Sequence, residues 1–364
     1  MNYFQISIDF FVFLWYNIVK KKQEHIFGEK NVFLITNKKG WFLLAMDIIT
    51  DESIKVNRSD EKFTKWTEKK KANLKIADKM CDIGFKKRGF RMRECGTFLT
   101  YKYCPDCGKS FISSSNLCRD KLCPTCSWRL SLKRFAEMCC TMNALNDCDM
   151  SCAGFLTLTV KNCKPENLRY TIKKMNEDWN RMLAGRIMKT LIIGWARSLE
   201  ITYNKETNTF HPHFHIIVLF EDMIDEGETN KFFRKAWGHA CRLPYEPITD
   251  FRMINRSKES TGTDNDKIYG AILETFKYSV KDSEVEEMPL DVFRQFVMAI
   301  QGIRFVSFGG IIKKARKELG LKENDSEDDN DIEIARDKCT CGADLIKVIC
   351  EWSFTEKQYK QINI

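Results

Sequence analysis

No apolar run in this chain is long enough to cross a bilayer. The N-terminal stretch Phe10 to Trp15 is much too short, and Asp9 and Asn17 interrupt it. A transmembrane helix is therefore excluded, and no membrane partner is expected. No cleavable signal peptide is recognisable, so the 16 cysteines read as reduced thiols of a cytoplasmic protein rather than as a secreted disulfide framework. No internal repeat is evident. Histidine is scarce at 5 residues, yet three of them fall together in His211-Pro212-His213-Phe214-His215.

What is present describes a globular chain. At 364 residues with 43% hydrophobic and 30% charged side chains, one large domain or two to three smaller ones can bury ample core. The formal charge of +9 is unevenly spread, because residues 323 to 338 hold eight acids against only Arg336 and Lys338. The remainder is more basic than the total, which favours nucleic acid or anionic lipid, although surplus lysine also serves solubility. Basic runs stand at Lys69-Lys70-Lys71 and Lys86-Lys87-Arg88 with Arg91 and Arg93. These read as solvated helix faces or as a DNA contact.

The histidine stretch runs into Ile216-Ile217-Val218-Leu219-Phe220, a strand. Alternation along a strand points His213 and His215 the same way, so both can grip one metal ion. Upstream, Leu199-Glu200-Ile201-Thr202-Tyr203 reads as a second strand, and Asn204 to Thr209 as a polar turn. A hairpin symmetric about residues 206 and 207 sets Glu200 across from His213. Two imidazoles and a carboxylate with open positions suit Mg²⁺ or Mn²⁺ better than a closed structural zinc. The plainer alternative is a hairpin with half-buried polar histidines.

Further along, Ile268, Ile272, Phe276 and Val280 repeat every four residues and predict the buried stripe of a helix from Ile268 to Lys281. Glu274 and Tyr278 project together from nearly the opposite face, with Lys281 beside them and Lys277 at the flank. Lysines can stabilise a phenolate, and a carboxylate can take a proton from water, so Tyr278 is a candidate nucleophile with Glu274 as general base. Taken alone, Glu-x-x-Lys-Tyr is a weak motif.

The remaining pattern predicts a strand from Gly154 to Val160, an amphipathic helix carrying Leu168, Ile172, Met175, Trp179, Met182 and Leu183, a strand near Phe251 to Ile254, and a basic helix from Ile311 after Gly309-Gly310. Strand, helix, hairpin and helix in that order predict an α+β fold, an antiparallel sheet with helices on one face. The divisions expected are a N-terminal extension over 1–60, with Met46 as a candidate true start, a basic segment over 61–94 and a cysteine-rich segment over 95–130. A catalytic domain over 131–321, an acidic linker over 322–338 and a C-terminal tail over 339–364, contributing a strand, complete the chain.

Cys104-Pro105-Asp106-Cys107 followed by Cys123-Pro124-Thr125-Cys126 is by spacing a four-thiolate zinc signal, complicated by Cys95 and Cys118. Cys339-Thr340-Cys341 has no assignment. Lys86, Lys87, Arg88, Arg129 and Lys133 surround the segment, which can dock on duplex DNA through phosphates or serve only as a fold staple.

Phe155-Leu156-Thr157-Leu158-Thr159, then Leu199 to Asn204 leading to His211-Pro212-His213-Phe214-His215, then Glu274 to Ser283 strongly resemble the three ordered motifs of the rolling-circle plasmid replication initiators of Gram-positive bacteria. These belong to the HUH endonucleases. The resemblance covers roughly residues 95 to 321. It implies an HUH-endonuclease core, ferredoxin- or RRM-like, in which Tyr278 attacks a phosphodiester of the plasmid's double-strand origin and leaves a 5′-phosphotyrosine and a 3′-OH primer. By the same resemblance His213 and His215 are the metal pair, and Glu274 activates the water that ends the cycle. The family's recurrent cysteines match Cys95, Cys118, Cys123 and Cys126, so Cys104 and Cys107 are either zinc ligands or an accessory pair. DNA, a host helicase and a host polymerase are the implied partners, and a homodimer is allowed for. A relaxase or single-strand transposase shares the chemistry, though relaxases usually carry the tyrosine before the histidines. A zinc-dependent DNA-binding regulator without nuclease activity is the reading from another class.

Overall fold

The computed structural model describes residues 64–108, 110–146, 152–221, 225–254, 262–277, 280–321, 338–339 and 341–362. The N-terminal extension with Met46, most of the acidic linker and Tyr278 lie outside the described residues.

Helices α1 (Thr64–Asp82) and α2 (Lys86–Glu94) lead into strands β1 (Phe98–Tyr103) and β2 (Ser110–Ser115), and helix α3 (Pro124–Asn146) follows. Then come β3 (Cys152–Thr159), α4 (Leu168–Leu183), α5 (Arg186–Leu191), β4 (Gly194–Asn204), β5 (Thr209–Phe220), α6 (Glu226–Cys241), β6 (Thr249–Ile254) and α7 (Gly262–Phe276). The chain continues through α8 (Asp282–Glu287), α9 (Leu290–Ala299), β7 (Val306–Gly309), α10 (Gly310–Glu318), β8 (Ile346–Ser353) and β9 (Gln358–Ile362). The fold is α+β, with antiparallel pairing in both of its sheets.

The larger sheet has the order β6-β3-β5-β4-β7. Its centre is the β4–β5 hairpin, whose turn is fixed locally. Asn204 accepts from the Thr207 N–H at 3.0 Å, Asn208 takes a positive φ of 49°, and Tyr203 donates its hydroxyl to the Asn208 side chain at 2.9 Å. Asparagine tolerates that backbone better than most residues, which is why the turn sits there.

Helices cover both faces of this sheet, where the sequence pattern predicted one. Phe214, Ile216, Val218 and Phe220 pack with Trp179 of α4, Trp237 of α6 and Phe293 of α9. Ile217 and Leu219 pack on the other face with Met142 of α3, Ile272 of α7 and Ile312 of α10. The cause is the unbroken apolar run Ile216 to Phe220: apolar side chains on alternate faces demand cover on both. Only toward His213 does β5 return to one apolar and one polar face, and that end of the second layer holds the site.

The smaller sheet has the order β2-β1-β8-β9. Its core joins Leu99, Tyr101, Trp352 and Tyr359 to Trp66 of α1 and Trp128 of α3. The last 25 residues therefore supply two strands, and β8 pairs along the whole of β1.

The lysine-rich α1 is a solvated face only in part: Lys65, Lys71 and Lys75 are exposed, while others turn inward. Lys70 is fully buried, Lys69 pairs with Asp282 at 2.5 Å and Lys75 with Glu286 at 2.7 Å. Lys79 donates to the carbonyl oxygens of Val285 and Glu286, both at 2.8 Å. The basic run thus neutralises the acidic helix α8. Arg88 is likewise held by Asp120, and Arg129 is buried against Trp66 and Trp128. Of the basic groups expected to face DNA, Lys71, Lys86, Lys87, Arg91 and Arg93 are the exposed ones.

Candidate functional site

The hairpin register sets Glu200 opposite His213, with Thr159 and Thr157 of β3 opposite His213 and His215. Three ligand atoms converge there. Nε2 of His213 and of His215 lie 3.1 Å apart, and Glu200 Oε2 is 3.3 Å from the first and 2.9 Å from the second. Cis ligands about 2.1 Å from one small cation stand roughly 3.0 Å apart, so this donor set fits a hard divalent ion and is too tight for thiolate-type geometry. Each ring is oriented from behind. His213 Nδ1 lies 3.2 Å from the His211 carbonyl oxygen, and His215 Nδ1 lies 3.3 Å from the Thr157 hydroxyl, so both rings turn Nε2 toward Glu200. Phe155 stacks on the His215 ring at 5.5 Å.

Helix α7 completes the cluster from above the sheet. Lys277 Nζ lies 2.9 Å from Glu200 Oε2 and 2.5 Å from Glu274 Oε1, while Glu274 Oε1 is 3.7 Å from His215 Nε2. Burial opposes ionisation of Glu200, but hydrogen bonds to His213 and His215 and the Lys277 charge outweigh it and hold the carboxyl well below the usual range. Burial also opposes the charge of Lys277, and the two carboxylates overcome it and raise its pKa. The Glu200 charge is thus favoured, and the Lys277 ammonium beside it offsets it.

The helix ends at Phe276, not at Lys281. Its stripe of Ile268, Ile272 and Phe276 is buried as the periodicity predicted, but Val280 packs into the core on the other side of the sheet. Lys281 caps α8 instead, exposed and 3.7 Å from Glu284, and so is not brought to the cluster. Tyr278 follows Lys277 directly and lies outside the described residues. Tyr269, on the helix itself, packs against the core beneath. A groove lined by Asn162, Thr202, Tyr203, Asn204, Lys205 and His211 opens beside the cluster, the His211 and His213 rings being 5.3 Å apart.

The cysteines sort into two groups. Cys95, Cys118, Cys123 and Cys126 gather in a buried set, with sulfur separations of 3.4 Å between Cys95 and Cys126, 3.7 Å between Cys118 and Cys126 and 3.5 Å between Cys123 and Cys95. Such a set can hold a metal ion. Cys104 and Cys107 do not join Cys123 and Cys126. They stand past the far end of β1, and six extended residues span roughly 20 Å.

Lys70, one of the run expected as a solvated face or DNA contact, donates at 2.6 Å to the carbonyl oxygens of both Arg93 and Cys95 and lies beside the thiols. Burial pushes its pKa down and the cysteines push it back up. Lys70→Ala removes a buried charge from its hydrogen-bonded partners and is expected to cost about 3 kcal/mol of stability in denaturant unfolding. An unchanged midpoint would make the buried ammonium dispensable.

Comparison with known proteins agrees on one family. The profile of a family described as "Replication protein" matches residues 109–360. A "Protein rep" of Bacillus amyloliquefaciens is 32% identical over 296 residues, covering 75% of this chain and 84% of the relative. A "Protein rep" of Lentilactobacillus hilgardii is 28% identical over 306 residues, covering 81% and 94%. No solved structure matches the chain. The match runs on through β8 and nearly to the end of β9, so the C-terminal strands, which the motif resemblance omitted, are within it.

Proposed function

This chain belongs to the replication protein family, and we propose that it initiates rolling-circle replication of a plasmid by nicking the double-strand origin. The observation that carries the reading is the convergence of Glu200, His213 and His215 with Glu274 and Lys277, one residue before Tyr278. In the proposed step the Tyr278 hydroxyl oxygen bonds to the scissile phosphorus and loses its proton. The bond from phosphorus to the 3′ oxygen breaks, and that oxygen leaves as the 3′-OH primer. Phosphodiester energy is conserved in the 5′-phosphotyrosine and is available for joining.

Mg²⁺ or Mn²⁺ held by Glu200, His213 and His215 would supply positive charge to the phosphate oxygens. The chain's own residues do the positioning. Thr157 and the His211 carbonyl orient the imidazoles, Phe155 braces one ring, and Lys277 holds Glu274 and Glu200 in place. Zinc bound by Cys95, Cys118, Cys123 and Cys126 would brace α2 and β1 against α3. Single-stranded DNA would lie in the groove beside His211, which Glu206 and Glu287 also line, and a host helicase and polymerase would act on the nicked product.

The test is nicking of single-stranded origin DNA in Mg²⁺ or Mn²⁺, with recovery of a protein–DNA adduct. His213→Ala with His215→Ala is expected to end cleavage and to leave zinc content and thermal unfolding unchanged. Zinc lost together with the histidines would mean that the two sites are one, and persistent cleavage would remove the metal centre from the reaction.

A further inference from the structure

We propose that Cys104, Cys107, Cys339 and Cys341 form a second four-thiolate zinc site, which clamps the C-terminal hairpin onto the end of β1. The four sulfurs all lie within 4.8 Å of one another, although Cys107 and Cys339 are 232 positions apart in the chain. Cys104 and Cys341 stand 3.5 Å apart, and Cys107 and Cys339 stand 3.4 Å apart. Disulfide sulfurs are about 2.05 Å apart. The edges of a tetrahedral zinc–thiolate site, with bonds of about 2.3 Å, are roughly 3.8 Å. The separations are far too long for a disulfide and lie a few tenths of an ångström inside those edges, as do those of the buried set at Cys95.

The backbone is shaped for the same purpose on both arms. Each cysteine pair is followed by a glycine in the left-handed region, Gly108 at φ 72° and Gly342 at φ 94°, a conformation side chains resist. Gly108 N–H donates to the Cys104 carbonyl oxygen at 3.0 Å, and Gly342 N–H donates to that of Cys339 at 2.9 Å. Cys339 N–H in turn donates to the Ala343 carbonyl oxygen at 2.8 Å. These are two tight turns, each presenting two sulfurs, set face to face. Burial does not explain them, because Cys107 and Cys341 are exposed. An all-sulfur donor set with two knuckle turns selects a thiophilic ion such as zinc over Mg²⁺ or Ca²⁺.

The place of the site gives its role. Tyr103, the last residue of β1, pairs with Ile346, the first of β8, so the four cysteines sit where that ladder ends. Binding would fix the register of β8 on β1 and fasten the chain's end across the acidic segment. This site is separate from the cluster at His213 and from the set at Cys95, and the proposal stands whether or not the chain nicks DNA.

Full-length protein purified under reducing conditions is expected to hold two zinc ions per chain by elemental analysis. Cys104→Ser with Cys107→Ser and Cys339→Ser with Cys341→Ser are each expected to hold one, and combining all four changes to hold no fewer. Hydrogen exchange at the β8 amides should rise in both double variants. Cys341→His substitutes one zinc ligand for another, so it should keep both ions while weakening the sulfur-to-metal charge-transfer band of the cobalt-loaded protein. One zinc in the unaltered chain, two zinc ions in either double variant, an unchanged cobalt band in Cys341→His, or a Cys107–Cys339 disulfide in place of metal would each overturn the site.

Discussion

Tyr278→Phe is expected to abolish nicking and adduct formation on origin DNA, a loss of about five orders of magnitude or to background, while origin binding persists. The change removes the one oxygen that the proposed step joins to phosphorus. The geometry around it limits where a substitute could come from. Phe276 is buried beneath the helix end, and the Lys277 N–H still donates to the Leu273 carbonyl oxygen at 2.8 Å, so the chain leaves the helix just where the Lys277 side chain reaches Glu200. The next residue is Tyr278. Tyr269 is two turns back and packed against the core. Adduct mapped to Tyr269 in the Tyr278→Phe protein would move the nucleophile, and binding lost along with nicking would make Tyr278 a structural residue.

The parts of this site that follow from local rules were legible in the sequence. A symmetric turn and a period of two are enough to put Glu200 across from His213 and to turn His213 and His215 the same way, and the structure has that register. The amphipathic stripe of α4 is another local pattern, and Leu168, Ile172, Met175, Trp179 and Met182 are all buried. Failures came where distant segments decide. Val280 continues the four-residue spacing of Phe276, but it belongs to a different core, because the helix ends at Phe276. Lys70 looked like one of three solvated lysines, and only the carbonyl oxygens of Arg93 and Cys95 draw it inside.

The cysteines show the limit most directly. Spacing alone joined Cys104 and Cys107 to Cys123 and Cys126, whereas β1 carries the first pair to the far end of a strand, where the partners come from the chain's last 26 residues. A signal was present in the glycine that follows both Cys107 and Cys341. It marks two turns of one kind, but not that they meet.

Glu274→Ala is expected to nick and join but to release covalent DNA slowly, so that protein-linked strands accumulate during turnover. In the proposed cycle initiation would need only the tyrosine, whereas ending it would require a second nucleophile, and a carboxylate acting as general base can draw it from water, an effect of about 10²–10⁴-fold. Glu274 is suited to this by position. Its Oε1 lies 3.7 Å from His215 Nε2, yet the side chain is 44% exposed, in contrast to the buried Glu200. In the proposed mechanism Glu200 is therefore the carboxylate that would hold an ion, and Glu274 the one left open to water. Lys277 links them, and loss of Glu274 leaves it paired with Glu200, so the metal cluster should survive the change. Glu274→Gln, which keeps the size and a hydrogen bond but not the basicity, should accumulate adduct to the same extent. If either variant instead loses the first nicking step while its thermal unfolding and zinc content stay native, Glu274 serves as a metal ligand or as the base for Tyr278, and its role in termination falls.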